Sequence, residues 1–324
     1  MKKKYKTIII GFGNIGYYGD ESKYKKWAVT THYKNILSSK SFYLSAICDK
    51  RKIKDNKIKK KIKIYKNYKS ILSNEKADLV IISTPDNMHY KILTEAAKYS
   101  PKMVFCEKPL CQNFNQVKRI TDLYKKKNIL LQINYSRRFM PEFKKIKKDL
   151  KNNILGKIQI IQIFYSKGLV HNGSHAIDLA LWFFGLPKEI RVNKNARSLS
   201  YKDDLCATLS LYYKDNLVVQ IIGIDVQNFG HLEINIIGSK KKYYINANNE
   251  LKIYELKRIN SVKKHLFFKC RSKINIKTYK ALPNALKNIE GTYNKKENLL
   301  SPPDNSLSIF KVIKACKKNL KIIE

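Results

Sequence analysis

The sequence is poor in acid. Its 25 Asp and Glu stand against 66 Lys and Arg, for a formal net charge of +41. Arginine is scarce, supplying 8 of the 66 basic residues, and Arg is the side chain that best reads guanine. There is no RNP-type aromatic strand, no zinc finger and no basic region leading into heptads, so specific nucleic-acid binding is not expected. With 12 Gly and 8 Pro the chain is neither fibrous nor of low complexity. The six cysteines (Cys48, Cys106, Cys111, Cys206, Cys270, Cys316) include no CxxC pair and no grouping with His at zinc spacing, and read as reduced and mostly buried. No apolar run approaches the roughly 18 residues of a membrane span. Met1-Lys2-Lys3-Lys4 before an apolar stretch mimics a secretory signal, but the stretch is short, runs into a glycine turn and lacks a small-residue cleavage site. A cytoplasmic protein is expected.

What is present is enough apolar material, 44% of 324 residues, for two cores, which fits about two domains at roughly 100–200 residues each. The lysines are dispersed, with dense stretches at Lys50–Lys69, Lys125–Lys127 and Lys144–Lys151. These fall on helix faces and loops, where charge runs are usually solvated surface. The Lys excess beside many Ile and Asn fits an AT-rich coding sequence.

The first half alternates strand and helix signals. Strands are expected at Tyr5–Ile10, Phe42–Asp49, Asp78–Ser83, Met103–Cys106 and Ile129–Ile133, with helices near Lys23–Leu37, Tyr68–Asn74, His89–Tyr99 and Asn115–Lys126. That alternation implies an α/β fold, an N-terminal doubly wound parallel sheet of Rossmann type. The second half changes character. Strands are expected at Lys157–Tyr165, Ala207–Tyr213, Leu217–Ile224, His231–Gly238 and Lys242–Ile245, with helices near Ser174–Phe184 and Ser306–Leu320. They imply an α+β domain with a large open mixed or antiparallel sheet. The expected division is 1–125 for nucleotide binding and 126–324 for substrate binding and oligomerisation, with the last helix at about 306–320.

Gly11-Phe-Gly13-Asn14-Ile15-Gly16 is a GxGxxG turn that follows a strand and is expected to open a helix. Gly11 suits the tight turn, Gly13 close approach to a pyrophosphate, and Gly16 helix-on-strand packing. The phosphates would then sit at a helix N-terminus. Asp49 ends the second strand, where an acid takes the adenosine ribose hydroxyls. Its distance from Gly16 exceeds the usual spacing of about 20 residues, which an insertion over Tyr17–Thr31 explains. Asp49 favours NAD, with NADP as the alternative because Lys50-Arg51 follows. Thr84-Pro85 with His89, and Glu107-Lys108-Pro109, fall at further strand ends, on the edge where doubly wound sheets bind ligands.

GxGxxG, then TPxxxH, then EKPL, in this order, resembles the glucose–fructose oxidoreductase/inositol dehydrogenase (Gfo/Idh/MocA) family. In the second half Gly156-Lys157-Ile158, the segment His171-Asn172-Gly173-Ser174-His175-Ala176-Ile177-Asp178 and the strand ending at Gly238-Ser239 carry the resemblance on. It implies an NAD(P)-dependent oxidoreductase acting on a CH–OH group of a sugar, sugar nucleotide or polyol. Lys108 would contact the reacting hydroxyl and His175 would exchange its proton. His171, Asn172, Asp178, Tyr135 and Arg137 would meet substrate, and Gly11, Gly13, Asn14, Ile15, Gly16, Asp49, Thr84, Pro85, His89, Glu107 and Lys108 the cofactor. The family's Asp four residues before the catalytic His is His171 here. If the helix begins at His171, the two histidines share a face; if Ser174 caps it, His171 lies in the preceding loop. Two His also raise a metal, but only Asp178 offers a third ligand, and none is expected. The resemblance further implies a homodimer or homotetramer, and the long first loop with Thr31-His32 resembles members tied to surface-polysaccharide pathways. The alternative is a non-catalytic dinucleotide-binding regulator or scaffold.

If the basic excess is only surface, a duplex-DNA binding assay at about 0.15 M salt shows no retention, since nonspecific phosphate contacts weaken steeply with salt. Retention there would restore a nucleic-acid role.

Overall fold

Short runs rich in β-branched and aromatic residues build the first sheet, and its central strands are buried on both faces. Residues 4–20, 28–53, 55–199, 204–226, 228–258 and 266–318 of the computed structural model are described. They form two compact units, one of 1–139 with 279–307, the other of 140–278 with 308–324. The expected division at residue 125 falls inside a helix of the first unit. The return of 279–307 to that unit carries no sequence signal, because composition marks no linker there.

In the first unit the order is β1 (Tyr5–Ile10), α1 (His32–Leu37), β2 (Phe42–Cys48), α2 (Asn56–Lys61), β3 (Lys63–Tyr65), α3 (Tyr68–Glu75), β4 (Leu79–Ile82), α4 (His89–Ala96), β5 (Met103–Cys106), α5 (Phe114–Lys126) and β6 (Leu130–Ile133). All six strands pair in parallel in the order 3-2-1-4-5-6. Every residue of β4 and β5 is buried, as parallel strands covered on both faces require. Ile9, Ile81, Phe105 and Phe139 join one apolar cluster with Leu282, Ala285, Leu286 and Ile289 of a later helix. Two buried amides fasten that helix. Gln132 donates to the Ala285 carbonyl at 2.8 Å, and Asn35 to the Leu282 carbonyl at 3.1 Å.

The second unit begins with α6 (Pro141–Lys151), followed by β7 (Ile158–Ser166), α7 (Ser174–Phe184), β8 (Glu189–Arg197), β9 (Leu205–Tyr212), β10 (Val218–Ile224), β11 (Leu232–Gly238), β12 (Lys241–Ile245), β13 (Glu250–Arg258) and β14 (Leu266–Asn275). The fastening helix of the first unit is α8 (Ala281–Tyr293), and α9 (Pro303–Lys318) ends the described chain. The eight strands run 14-13-12-11-7-10-9-8, with β7 and β10 parallel and all other neighbours antiparallel. Burial alternates along β7 and β11, the mark of a sheet with one covered face. The sheet is the expected mixed one, enlarged by β8, β13 and β14. Their polar or lysine-rich runs, such as Glu250-Leu-Lys252-Ile253, lack the apolar density that marks buried strands.

Several expectations extend past the described residues. The helix expected over Lys23–Leu37 begins at His32 within them, while residues 23–27 lie outside. The last helix starts at Pro303 rather than Ser306, and residues 319–320 lie outside. Residues 1–3 of the basic start and 21–27 of the expected insertion also lie outside. All six cysteines are free thiols, five of them buried. No helix among the described residues is long and apolar enough to cross a membrane.

Ile81 is fully buried at the centre of the first sheet, whereas Tyr43 on β2 is 44% exposed. Ile81→Ala is expected to cost about 2–5 kcal/mol, and Tyr43→Ser within about 0.5 kcal/mol. Chemical denaturation of the full chain checks both; equal midpoints for the two variants would contradict this core.

Candidate functional site

Four hydrogen bonds zip together the carboxyl ends of five adjacent strands, β2, β1, β4, β5 and β6, one residue beyond each ladder. Gly11 N–H donates to the Cys48 carbonyl, Ser83 N–H to Ile10, Glu107 N–H to Ile82 and Asn134 N–H to Cys106, at 2.8–2.9 Å. Strand order reverses between β1 and β4, and a doubly wound sheet opens its ligand crevice at such a reversal. The crevice here is a cavity of about 930 Å³ lined by Gly11, Gly13, Asn14, Ile15, Asp49, Thr84, Pro85, Glu107 and Lys108 among others. Asp49 follows β2 and Lys108 follows β5, three strand spacings apart, or roughly 14 Å at about 4.8 Å each. A ligand touching both ends must be elongated.

Gly11 makes the crevice possible. Its φ is +96°, and a Cβ there would lie 2.5 Å from Ser83 C and Thr84 N. Gly16 packs its Cα onto the Gly11 carbonyl, where a Cβ would stand at 2.4 Å. It does not line the cavity. The glycine turn does not open a long helix. Its amides close a local turn, Tyr17 N–H to the Gly13 carbonyl at 2.7 Å. The short α1 resumes behind it at His32, with His32 and Tyr33 N–H donating to the Ile15 and Gly16 carbonyls at 3.0 Å. The expected phosphate seat at the start of a long helix is thereby reduced to a single turn, of which Gly13, Asn14 and Ile15 line the cavity. The exposed glycine-turn backbone remains.

The donor set fits a dinucleotide. The Thr84 hydroxyl is buried without a hydrogen-bond partner on a residue that lines the cavity, and a bound polar group would satisfy it. Gly13 faces the cavity, and a Cβ there would meet only the Arg51 guanidinium, at 3.4 Å. Asp49 accepts from Phe12 N–H at 2.8 Å, from Arg51 N–H at 2.8 Å, and from the Arg51 side chain at 3.1 and 2.9 Å. Burial alone would raise the Asp49 pKa; the bonds from Arg51 and Phe12 outweigh it and hold it below the ordinary carboxylate range. Lys50, Arg51 and Lys66 make that end of the cavity basic.

At the other end Glu107 is fixed by two side chains. Its Oε1 lies 2.8 Å from His32 Nε2 and accepts from Asn134 Nδ2 at 2.7 Å. His32 is fully buried, edge-on to Phe105. Burial would raise the Glu107 pKa, but His32, Asn134 and the Lys108 charge bring it below its ordinary value. Burial lowers the Lys108 pKa, helped by Arg137 and opposed by Glu107 and Asp86. His89 does not line the cavity. Its ring nitrogens face the Pro109 carbonyl at 2.8 Å and the Thr84 carbonyl at 3.0 Å, so it braces the two turns that carry Thr84 and Lys108.

Tyr135 and Arg137 belong to the first unit, following β6. His171, Asn172, His175 and Asp178 belong to the second. His171 and Asn172 lie in a π-helical turn, Gly168–Gly173, that runs directly into α7, on which His175 and the buried Asp178 sit. That turn is neither of the two expected arrangements. A carboxylate not anticipated from sequence, Asp204, lies 3.1 Å from His171 Nδ1. No spacing rule links residues 33 apart, and only Gly168, whose Cβ would strike the Asp204 carboxylate at 2.2 Å, hints at it.

A parallel 3-2-1-4-5-6 sheet with a glycine turn at its switch point defines a dinucleotide-binding Rossmann domain. Residues 5–135 match the Gfo/Idh/MocA family model, described as an oxidoreductase family with an NAD-binding Rossmann fold. The myo-inositol 2-dehydrogenase of Thermotoga maritima is 31% identical over 158 residues, covering 48% of this chain and 43% of that protein. The chain spans less than half the length of the first curated relatives it matches. Over nearly the whole chain the fold resembles two solved structures. One is a dehydrogenase from Chromobacterium violaceum (TM-score 0.76, 13% identity, 98% of this chain and 95% of that one). The other is an oxidoreductase from Agrobacterium radiobacter in complex with NAD+, L-tartaric acid and magnesium (TM-score 0.72, 14% identity, 98% and 96%).

The Glu107 carboxylate is held by His32 in a buried setting, so His32→Leu is expected to cost about 1–3 kcal/mol at pH 7. Because the folded-state pKa of Glu107 is lowered, that contribution is complete above the unfolded carboxylate value of about 4.3. It is lost as pH falls through the lower folded value. The Tm gap between wild type and variant should therefore narrow below about pH 4; a gap constant from pH 7 to pH 3 would contradict the pairing.

Proposed function

We propose that the chain is an NAD-dependent oxidoreductase that moves a hydride between nicotinamide and a secondary hydroxyl or keto carbon of a sugar, sugar nucleotide or polyol. The observation that carries this reading is the switch-point cavity, lined at once by the glycine turn, the unpartnered Thr84 hydroxyl and the half-buried Lys108. The inositol dehydrogenase relative supports a polyol as the substrate class. A role in surface-polysaccharide sugar metabolism is the finer form of the proposal, and assembly into a homodimer or homotetramer accompanies it.

When bound, nicotinamide supplies the hydride acceptor. This chain's residues do the rest. The glycine turn and Thr84 bind the pyrophosphate and its neighbours, and Asp49 takes the adenosine ribose, a carboxylate there disfavouring a 2′-phosphate. Lys108 donates a hydrogen bond to the reacting oxygen and stabilises the charge that develops on it. Burial, which eases its deprotonation, suits it to that exchange. His175 takes the hydroxyl proton, a task matched by an imidazole near neutral pH. His171, Asn172, Asp178, Tyr135 and Arg137 contact the rest of the substrate. A second reading, a non-catalytic dinucleotide-binding scaffold, is favoured only by His171 standing where the family has Asp.

Fluorescence titration with NADH and NADPH tests the binding half. NADH should bind the more tightly, and Gly13→Val should weaken it about 100-fold, or about 2.8 kcal/mol. A Gly13→Val protein that binds NADH normally would sink the assignment. On a polyol and sugar panel, Lys108→Ala and His175→Ala should each lower turnover by about 10²–10⁴ while NADH binding by His175→Ala is retained. Turnover unaffected by both substitutions would sink the roles of Lys108 and His175, and NADH binding with no turnover on the panel would leave the scaffold reading.

A further inference from the structure

Position 171 carries an imidazole, and the second unit brings a carboxylate to it from the entry of β9. Lys167 (φ 64°) and Gly168 (φ 82°) turn the chain through left-handed backbone at the start of the π-helical turn. The turn aims the amides of Val170 and His171 at Asp204, which accepts from Val170 N–H at 2.9 and 3.0 Å and from His171 N–H at 3.1 Å. Leu205 N–H donates to Asp204 Oδ1 at 2.7 Å. Only glycine fits at 168, because a Cβ would stand 2.2 Å from Asp204 Oδ2. The Asp204 side chain is 4% exposed and that of His171 28%, so a buried carboxylate backs a ring that reaches the surface of its unit.

An ionised carboxylate can only accept, so His171 Nδ1, 3.1 Å from Oδ2, must be the donor. In the neutral ring that assigns the proton to Nδ1 and the lone pair to Nε2. Buried partners of this kind are a general means of fixing a histidine's tautomer and orientation. Backbone donors occupy the rest of the carboxylate, which anchors it independently of the ring.

We propose that Asp204 is a positioning residue that locks His171 in the Nδ1–H tautomer, so that Nε2 presents a neutral hydrogen-bond acceptor to a substrate hydroxyl. The proposal rests on the reading of the chain as a polyol or sugar dehydrogenase, with His175 keeping the proton transfer. His171 thus does by an imidazole what a carboxylate at the same position would do as an anion: it accepts from a hydroxyl and selects substrates that can donate one there. Asp204→Asn keeps an oxygen for the backbone amides but turns an N–H toward Nδ1. The ring must then carry its proton on Nε2, converting the acceptor into a donor.

Long-range ¹H–¹⁵N NMR on the full ¹⁵N-labelled chain tests the lock without any substrate, with His171→Gln identifying the His171 signals by their loss. Wild type should show a protonated, pyrrole-type Nδ1 and a pyridine-type Nε2, and Asp204→Asn the reverse. An Nε2–H ring in wild type, or a tautomer indifferent to Asp204→Asn, overturns the proposal. On the polyol or sugar that wild type turns over, Asp204→Asn should raise KM about tenfold or more with a smaller change in kcat and unchanged NADH affinity. His171→Gln, whose amide oxygen can still accept, should recover part of that loss. Unchanged KM in Asp204→Asn also overturns it. If wild type turns over nothing on the panel, the dehydrogenase reading falls, and the NMR result still decides the lock.

Discussion

Everything at the candidate site depends on how closely the turns after β1 and β4 approach. Gly11 sits so near the Ser83–Thr84 peptide that a single methyl would overlap its backbone at 2.5 Å. The Ser83 hydroxyl closes the contact by donating to the Gly11 carbonyl at 2.7 Å. Because strand order reverses at this point, the two turns diverge above the contact and leave the crevice between them. The contact fixes the Thr84 turn, His89 joins that turn to the Pro109 carbonyl, and the Glu107–His32–Asn134 bonds hold the end that carries Lys108. One steric constraint at a glycine is thereby passed along the sheet edge to Lys108.

The charge of the chain bears on this site only at its margins. Many lysines answer nearby acids at the surface, such as Lys118 with Asp122 and Lys125 with Asp304, pairs worth little each. Near the cavity the balance differs. Lys50, Arg51 and Lys66 line one end, where Asp49 is already engaged by Arg51, and Lys108 lines the other. A positive rim of this kind draws anionic ligands by long-range attraction that salt screens.

Much of the site was legible because its chemistry is local in sequence. The glycine turn, Thr84-Pro85 and Glu107-Lys108 each follow a strand whose apolar run announces it, so their shared edge could be read from the strand–helix alternation. What was not legible depends on tertiary placement. The helix expected to open at Gly16 does not start there: the chain after Gly13 closes a local turn, and α1 begins at His32. His89 reads as a cofactor contact from its motif, yet both its ring nitrogens are taken by backbone carbonyls. Asp204 precedes a strand with no motif around it, and its meaning comes only from the left-handed turn at Gly168. The strands β13 and β14 were hidden by lysines that alternate with their apolar residues on a half-exposed sheet.

Hydrogen–deuterium exchange of the full chain with and without saturating NAD+ tests the central claim most directly, since it reads the crevice amide by amide and needs no substrate. The account predicts slowed exchange confined, in the first unit, to the glycine turn at Gly11–Ile15, the Thr84–Met88 turn and Glu107–Lys108, with the distant face of α5 unchanged. Protection absent from the glycine turn and the Thr84 turn would contradict it.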